Sequence, residues 1–105
     1  MVNKKRSLRI GVLGCGKVAQ IAHFDACKKA NNVELYAICD KEKDLLEAMS
    51  TRNNPCVVYD NYDDMLLDTQ LDAVIVATAD HLHVPLSIQA LDAGKQALGL
   101  YFHKL

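Results

Sequence analysis

The feature that most constrains the fold is a change of texture at residue 14. The apolar run Leu8-Arg9-Ile10-Gly11-Val12-Leu13 stops at Gly14-Cys15-Gly16-Lys17-Val18-Ala19, where a helical pattern opens at once. Few folds place a strand, a glycine turn and a helix start in that order. Gly14 can make the tight turn, and Gly16 carries no Cβ to hold a ligand off the backbone. Ala19 is the third small position, where the helix passes close to the strand it has just left. The free N–H groups of the first helical turn, with the positive end of the helix dipole, then suit a dinucleotide pyrophosphate without any basic side chain.

Alone, the Gly-x-Gly-x-x-Ala spacing also fits a purely structural turn. The next strand narrows the choice. Val33-Glu34-Leu35-Tyr36-Ala37-Ile38-Cys39 is apolar enough for a buried parallel strand, and it ends at Asp40. Asp40 lies 24 residues beyond Gly16, near the separation of about 20 at which an acid meets the adenosine ribose. A carboxylate there accepts both ribose hydroxyls and repels a 2′-phosphate, which favours NAD over NADP. Lys41 and Lys43 beside it leave NADP open, although two lysines on a first turn also read as a solvated face. Asp40 is also a good N-cap for the helix expected after it, a role compatible with ribose binding.

The pattern predicts strand 8–13, helix 17–30, strand 33–39, helix 41–52, strand 56–59, a short helix 61–67, strand 72–77, helix 83–93 and strand 96–100. Strands alternating with helices imply right-handed crossovers and a parallel sheet. Ala19, Ala22, Ala26 and Ala30 form a small-residue stripe expected to lie on the sheet, and Leu45, Ala48 and Met49 do the same for the second helix. Asn53-Asn54-Pro55 marks a turn. Pro85 suits a first helical turn and Gly94 the position just past a helix end. The clearest buried strand, Asp72-Ala73-Val74-Ile75-Val76-Ala77, delivers Thr78-Ala79-Asp80-His81-Leu82-His83 to the edge where open α/β sheets bind ligands.

At 105 residues the chain forms one domain. A net charge of −1 gives no reason to invoke nucleic acid or an anionic membrane. No run approaches the 18 or so apolar residues of a membrane span, and the basic start Met1 to Ser7 lacks a signal-peptide core, so a cytoplasmic protein is expected. Cys15, Cys27, Cys39 and Cys56 contain no Cys-x-x-Cys and read as small buried thiols rather than disulfides or zinc ligands. At a helix N-terminus the Cys15 thiol could be activated, but it reads first as a small residue filling a turn. His81 and His83 alternate as strand-borne zinc ligands would, with no further clustered ligand to support a metal. His23 reads as a packed or surface residue. A methyltransferase glycine loop usually follows an acid, and Ile10-Gly11-Val12-Leu13 offers none.

Taken in order, Arg9 to Ala19, Val33-Glu34-Leu35 leading to Asp40, Tyr62-Asp63-Asp64-Met65-Leu66, Leu71 to Thr78, His81-Leu82-His83 and Ala90-Leu91-Asp92-Ala93-Gly94-Lys95 resemble a known family. It is the N-terminal domain of the glucose–fructose oxidoreductase / inositol dehydrogenase (Gfo/Idh/MocA) family, and the resemblance covers about residues 8 to 98. It implies a Rossmann-type open parallel sheet of about five strands in order 3-2-1-4-5 with helices on both faces. It also implies that Ala77, Thr78 and His83 join Gly14, Cys15, Gly16, Lys17, Val18, Ala19 and Asp40 in holding the cofactor, with Thr78 along its ribose and nicotinamide half.

The chain departs from that family in two places. Thr78-Ala79-Asp80 stands where the family has Thr-Pro-Asn, which puts an acid near the cofactor. Leu100-Tyr101-Phe102 stands where the family has Glu-Lys-Pro, and Lys104 falls three residues late for the catalytic lysine. A catalytic group misplaced by even about 1 Å can cost 100-fold in rate. Tyr101, with a pKa near 10, is a poor replacement and reads as an apolar strand end. No catalytic residue is assigned, and the chain reads as a truncated dinucleotide-binding domain, residues 1–105, without the family's substrate domain. It is expected to be a sugar- or polyol-type oxidoreductase domain inactive alone. The alternative is a nucleotide-sensing or dimerising module, pairing with another copy through the exposed edge of its last strand.

Overall fold

Short apolar runs become strands here because helices cover both faces of the sheet, leaving no solvated side for polar residues to alternate onto. The computed structural model describes residues 7–16, 24–78 and 80–99. The strands are β1 (Leu8–Leu13), β2 (Val33–Cys39), β3 (Val57–Tyr59), β4 (Ala73–Val76) and β5 (Gln96–Gly99). They pair in parallel throughout, in the order β3-β2-β1-β4-β5, as expected. The helices are α1 (Phe24–Lys29), α2 (Lys43–Asn53), α3 (Tyr62–Leu66) and α4 (His83–Asp92), the last preceded by a 3-10 turn at Asp80–Leu82.

From β1 the chain winds outward to β2 and β3, then crosses back over β1 to β4 and β5. Right-handed crossovers in opposite directions put the helices of the two halves on opposite faces. Phe24 and Cys27 of α1, with Leu46 and Met49 of α2, pack with Ile10, Val12, Ile38 and Ile75 on one face. Met65, Leu66 and Ala90 of α3 and α4 pack with Leu13, Ala37, Val74 and Val76 on the other. The alternation Val12/Leu13 and Ile75/Val76 divides each strand between the two layers, and each fully buried side chain contributes about 1.5–3 kcal/mol.

Several expectations from sequence need correction. In α1 the buried residues are Phe24 and Cys27, while Ala26 and Ala30 are exposed; Ala19 and Ala22 lie outside the described residues. A methyl side chain fits either face, so the larger Phe24 sets the rotation of the helix. In α2 Leu46 and Met49 are buried, Leu45 is half-buried and Ala48 is exposed. Cys56 is exposed, unlike Cys15, Cys27 and Cys39. Asp40 is not the N-cap of α2, because that helix starts at Lys43 and its cap position is Glu42. The end of α2 follows turn chemistry: Asn54 adopts φ 53 and its N–H bonds the Ser50 carbonyl. Gly94, at φ +81, similarly follows α4.

One polar network was not visible in the sequence. The β1–β2 register slips between Ile10 and Gly11, where Leu35 and Ala37 are their partners, so Tyr36 is unopposed. The Tyr36 hydroxyl donates to Asp68 Oδ2 at 2.9 Å, and the Tyr59 hydroxyl donates to the same oxygen at 2.6 Å. The Gln70 N–H reaches Oδ1 at 2.9 Å. Partial burial pushes the Asp68 carboxyl up, but these donors and Lys95 outweigh it and hold the group below its ordinary value of 3.8. A carboxyl so lowered stabilises the fold above that value and loses its contribution as pH falls through its folded pKa. Asp68→Asn is therefore expected to flatten the acid limb of a plot of Tm against pH below about pH 4. An unchanged slope would place the acid sensitivity elsewhere.

Candidate functional site

The two directions of winding part between β1 and β4, and a crevice opens at the carboxyl ends of these strands. Gly14 closes its floor. The Gly14 N–H bonds the Cys39 carbonyl at 2.8 Å, while the Ala77 N–H bonds the Leu13 carbonyl at 2.8 Å. Gly14 sits at φ +100, and a Cβ there would stand 2.7 Å from the Ala77 carbonyl oxygen. Both its conformation and its space demand glycine. Gly16 differs: a Cβ added there meets nothing within 4 Å among the described residues. The protein described leaves that space open, as a cradle for a phosphate requires.

Asp40 follows the end of β2 and bridges two backbone segments. Its Oδ2 accepts the Cys15 N–H at 2.7 Å, and its Oδ1 accepts the Glu42 N–H at 2.8 Å. The first bond ties the acid to the glycine loop, and the second shapes the turn before α2. Each carboxylate oxygen keeps a lone pair for another donor. The thiol of Cys15 is buried, with Sγ 3.9 Å from the Cys39 carbonyl oxygen. Burial, then Asp40 and Cys39, push its pKa up to about 12. Cys15 is therefore a protonated filler of the turn, not an activated nucleophile.

Beside this loop runs a cleft of about 360 Å³ whose walls include Gly14, Asp40, Thr78, Leu82 and Leu86. A second hollow of about 290 Å³ shares Leu13, Asp40, Lys41, Tyr62 and Leu86 with it and continues to Asp60 and Asn61. Together they form one groove centred on Asp40, with Thr78 at one end and Asp60 at the other. Lys41 is the cation on its wall among the described residues. The Tyr62 hydroxyl donates to the Leu86 carbonyl at 2.8 Å and joins α3 to α4 across the groove.

Thr78 lines the cleft, and its Oγ1 is buried with no hydrogen-bond partner among the described residues. A buried hydroxyl in that position is expensive unless something binds it. His83 is 4% exposed, and its Nε2 lies 3.0 Å from the Thr78 carbonyl oxygen. A carbonyl only accepts, so Nε2 donates, and the ring braces the Thr78 loop from beneath. His81, in the 3-10 turn, is exposed. No cluster of metal-ligating side chains occurs among the described residues. No helix among them is long and apolar enough to cross a membrane.

The structure thus brings together Gly14, Cys15, Gly16, Asp40, Ala77 and Thr78, with His83 behind them. Lys17, Val18, Ala19, His23, Tyr101 and Lys104 lie outside the described residues. Tyr62, Leu82 and Leu86 were missed as walls of the groove. The spacing of Leu82 and Leu86 by four, across the start of α4, was the available signal.

A family model described as an oxidoreductase family with an NAD-binding Rossmann fold, GFO_IDH_MocA, matches residues 8–98. The myo-inositol 2-dehydrogenase of Thermotoga maritima is 32% identical over 88 residues, covering 84% of this chain and 26% of that protein. The D-glucoside 3-dehydrogenase of Escherichia coli is 31% identical over 87 residues, covering 83% and 25%. The chain thus spans about a quarter of the length of these relatives. The WlbA dehydrogenase of Bordetella pertussis, solved with NADH and UDP-GlcNAcA, superposes with a TM-score of 0.83 at 28% identity, covering 90% of this chain and 29% of that one. With the family model spanning most of its length and the groove lying within the matched residues, this chain belongs to the Gfo/Idh/MocA oxidoreductase family and forms its NAD(P)-binding Rossmann domain.

Proposed function

We propose that the groove binds NAD in preference to NADP and serves an oxidoreductase acting on a sugar or polyol. The observation that carries the cofactor reading is the Asp40 carboxylate, held 2.7 Å from the Cys15 N–H in the middle of the groove. We assign the pyrophosphate to the Gly14–Ala19 loop, the adenosine ribose to Asp40, and the adenine to the hollow toward Asp60 and Asn61. Ala77 and Thr78 receive the nicotinamide side, where the buried Thr78 hydroxyl gains a partner. Asp40 and Asp60 oppose a 2′-phosphate more strongly than Lys41 attracts it.

When bound, the cofactor supplies the hydride acceptor or donor. This chain's residues bind and orient it: Asp40 fixes the ribose, the loop N–H groups meet the phosphates, and Leu82 and Leu86 exclude water from one wall. The substrate class is inferred from relatives named for inositol and glucoside oxidation. A cytoplasmic location belongs to the same proposal; no helix among the described residues is long and apolar enough to cross a membrane.

Calorimetric titration of the folded chain tests the reading. NADH is expected to bind at least 10-fold more tightly than NADPH, a difference of about 1.4 kcal/mol. Gly16→Ala is expected to weaken NADH binding while leaving Tm unchanged, because the added methyl meets nothing in the protein described. Folded protein that binds neither dinucleotide would overturn the proposal.

A further inference from the structure

Among the described residues, His83 is the one buried polar or charged side chain. An imidazole in such a place is costly unless its hydrogen bond serves the fold or the site. His83 opens α4, whose N-cap position, Leu82, makes no side-chain cap bond. The ring turns back instead to the carbonyl of Thr78, five residues earlier. That bond closes the connection from β4 to α4, the 3-10 turn included.

Thr78 is thereby held from both sides. On one side the Ala77 N–H bonds the Leu13 carbonyl at 2.8 Å. The Gly14 turn presses on the same stretch, since a Cβ built on Gly14 would stand 3.3 Å from Thr78 Cγ2 as well as 2.7 Å from the Ala77 carbonyl oxygen. On the other side His83 Nε2 donates to the Thr78 carbonyl at 3.0 Å. A residue whose flanking peptide groups are both anchored keeps little freedom in φ and ψ, and the backbone in turn limits its side-chain rotamers. The cleft wall includes Thr78, Leu82 and Leu86 but not His83, so the ring acts on a ligand there through Thr78.

We propose that His83 is a positioning residue for the nicotinamide half of the cofactor: through the Thr78 carbonyl it aims the Thr78 hydroxyl, buried and without a hydrogen-bond partner among the described residues, toward the cleft. This rests on the assignment of that end of the groove to the nicotinamide side. It replaces the direct cofactor contact that the family resemblance implied for His83. It also differs from a general clamp on the fold, because its effect is confined to one half of the dinucleotide. The other half is organised without His83: Asp40 is tied to the Cys15 N–H at 2.7 Å, and the Gly14 N–H to the Cys39 carbonyl at 2.8 Å.

The test compares NADH with ADP, which shares the adenosine and both phosphates but lacks the nicotinamide riboside. Calorimetry on the 105-residue chain measures both affinities. His83→Leu fills the space and removes the donor; it is expected to weaken NADH by about 10-fold, the scale of a lost hydrogen bond, and to leave ADP unchanged. A glutamine amide nitrogen stands as many bonds from Cα as Nε2 does, so His83→Gln is expected to restore most of the NADH affinity. Thr78→Val removes the hydroxyl, and in that background His83→Leu should change the ratio of the two affinities no further. Should circular dichroism show the leucine variant unfolded, His83→Asn, whose amide stops one bond short, takes its place with the same expected losses. Equal losses for NADH and ADP would make His83 a structural clamp and overturn the proposal. A leucine variant that keeps full NADH affinity, or an effect that persists without the Thr78 hydroxyl, would overturn it equally. An unsubstituted, folded chain that binds neither ligand would overturn the groove reading itself, and this inference with it.

Discussion

Gly14→Ala is expected to cost about 3 kcal/mol or more of stability and to abolish dinucleotide binding. Two effects add. A non-glycine residue at φ +100 is strained by about 1–3 kcal/mol. The new Cβ would also stand 2.7 Å from the Ala77 carbonyl oxygen, and backbone cannot swing aside as a side-chain tip can. Relief means parting the ends of β1 and β4, at a typical overpacking cost of about 1–3 kcal/mol. Denaturant unfolding measures the loss directly. Its comparison with Gly16→Ala is informative, since the two glycines lie two residues apart but, among the described residues, only Gly14 is crowded. Equal stability losses in the two variants would refute the distinction.

Asp40→Ala is expected to raise the Kd for NADH by about 10- to 100-fold, on the scale of a lost hydrogen bond to a charged group. NADPH affinity should change far less, because the acid that opposes its 2′-phosphate goes too. The same substitution frees the Cys15 and Glu42 N–H groups, so stability should fall by about 1–3 kcal/mol. Asp40→Asn separates the roles. Its amide restores one acceptor but turns a donor toward the other N–H, so it should recover part of the stability and little of the NADH preference. Titrations with both dinucleotides, alongside Tm, check each part. A preference for NADH that survives both variants would remove Asp40 from the ribose site.

The readable part of this molecule was the part set by chain-local rules. Buried parallel strands announce themselves as apolar runs, so β1, β2 and β4 were legible, and with them the glycine turn and the acid that ends β2. The misread parts depended on competition between distant groups. The alanines of α1 suggested a buried stripe, but alanine is indifferent to its side and Phe24 decided the rotation. Asp40 looked like a helix cap, yet its carboxylate is engaged by Cys15, 25 residues away, and by the turn before α2. Tyr36, Tyr59 and Asp68 meet beside a register slip that leaves Tyr36 unopposed. No spacing rule relates those three positions. The groove wall joins Leu82 and Leu86, neighbours across the start of α4, to Tyr62 of α3, which only the tertiary fold brings to them.

The central position of β1 has a consequence for how the chain is made. β1 is synthesised first, yet one of its two neighbours is β4, and Arg9 and Asp72, bonded across that seam, are 63 residues apart. At about 5–20 residues per second, the ribosome delivers the second neighbour several seconds after the first strand. During that interval β1 can pair with β2 and gather α1 and α2, while its other edge waits. The contact between Gly14 and Ala77 is thus completed late in synthesis. A chain that ends before residue 77 lacks Thr78 and the later cleft residues Leu82 and Leu86, so the complete groove forms only once β4 and α4 have been made.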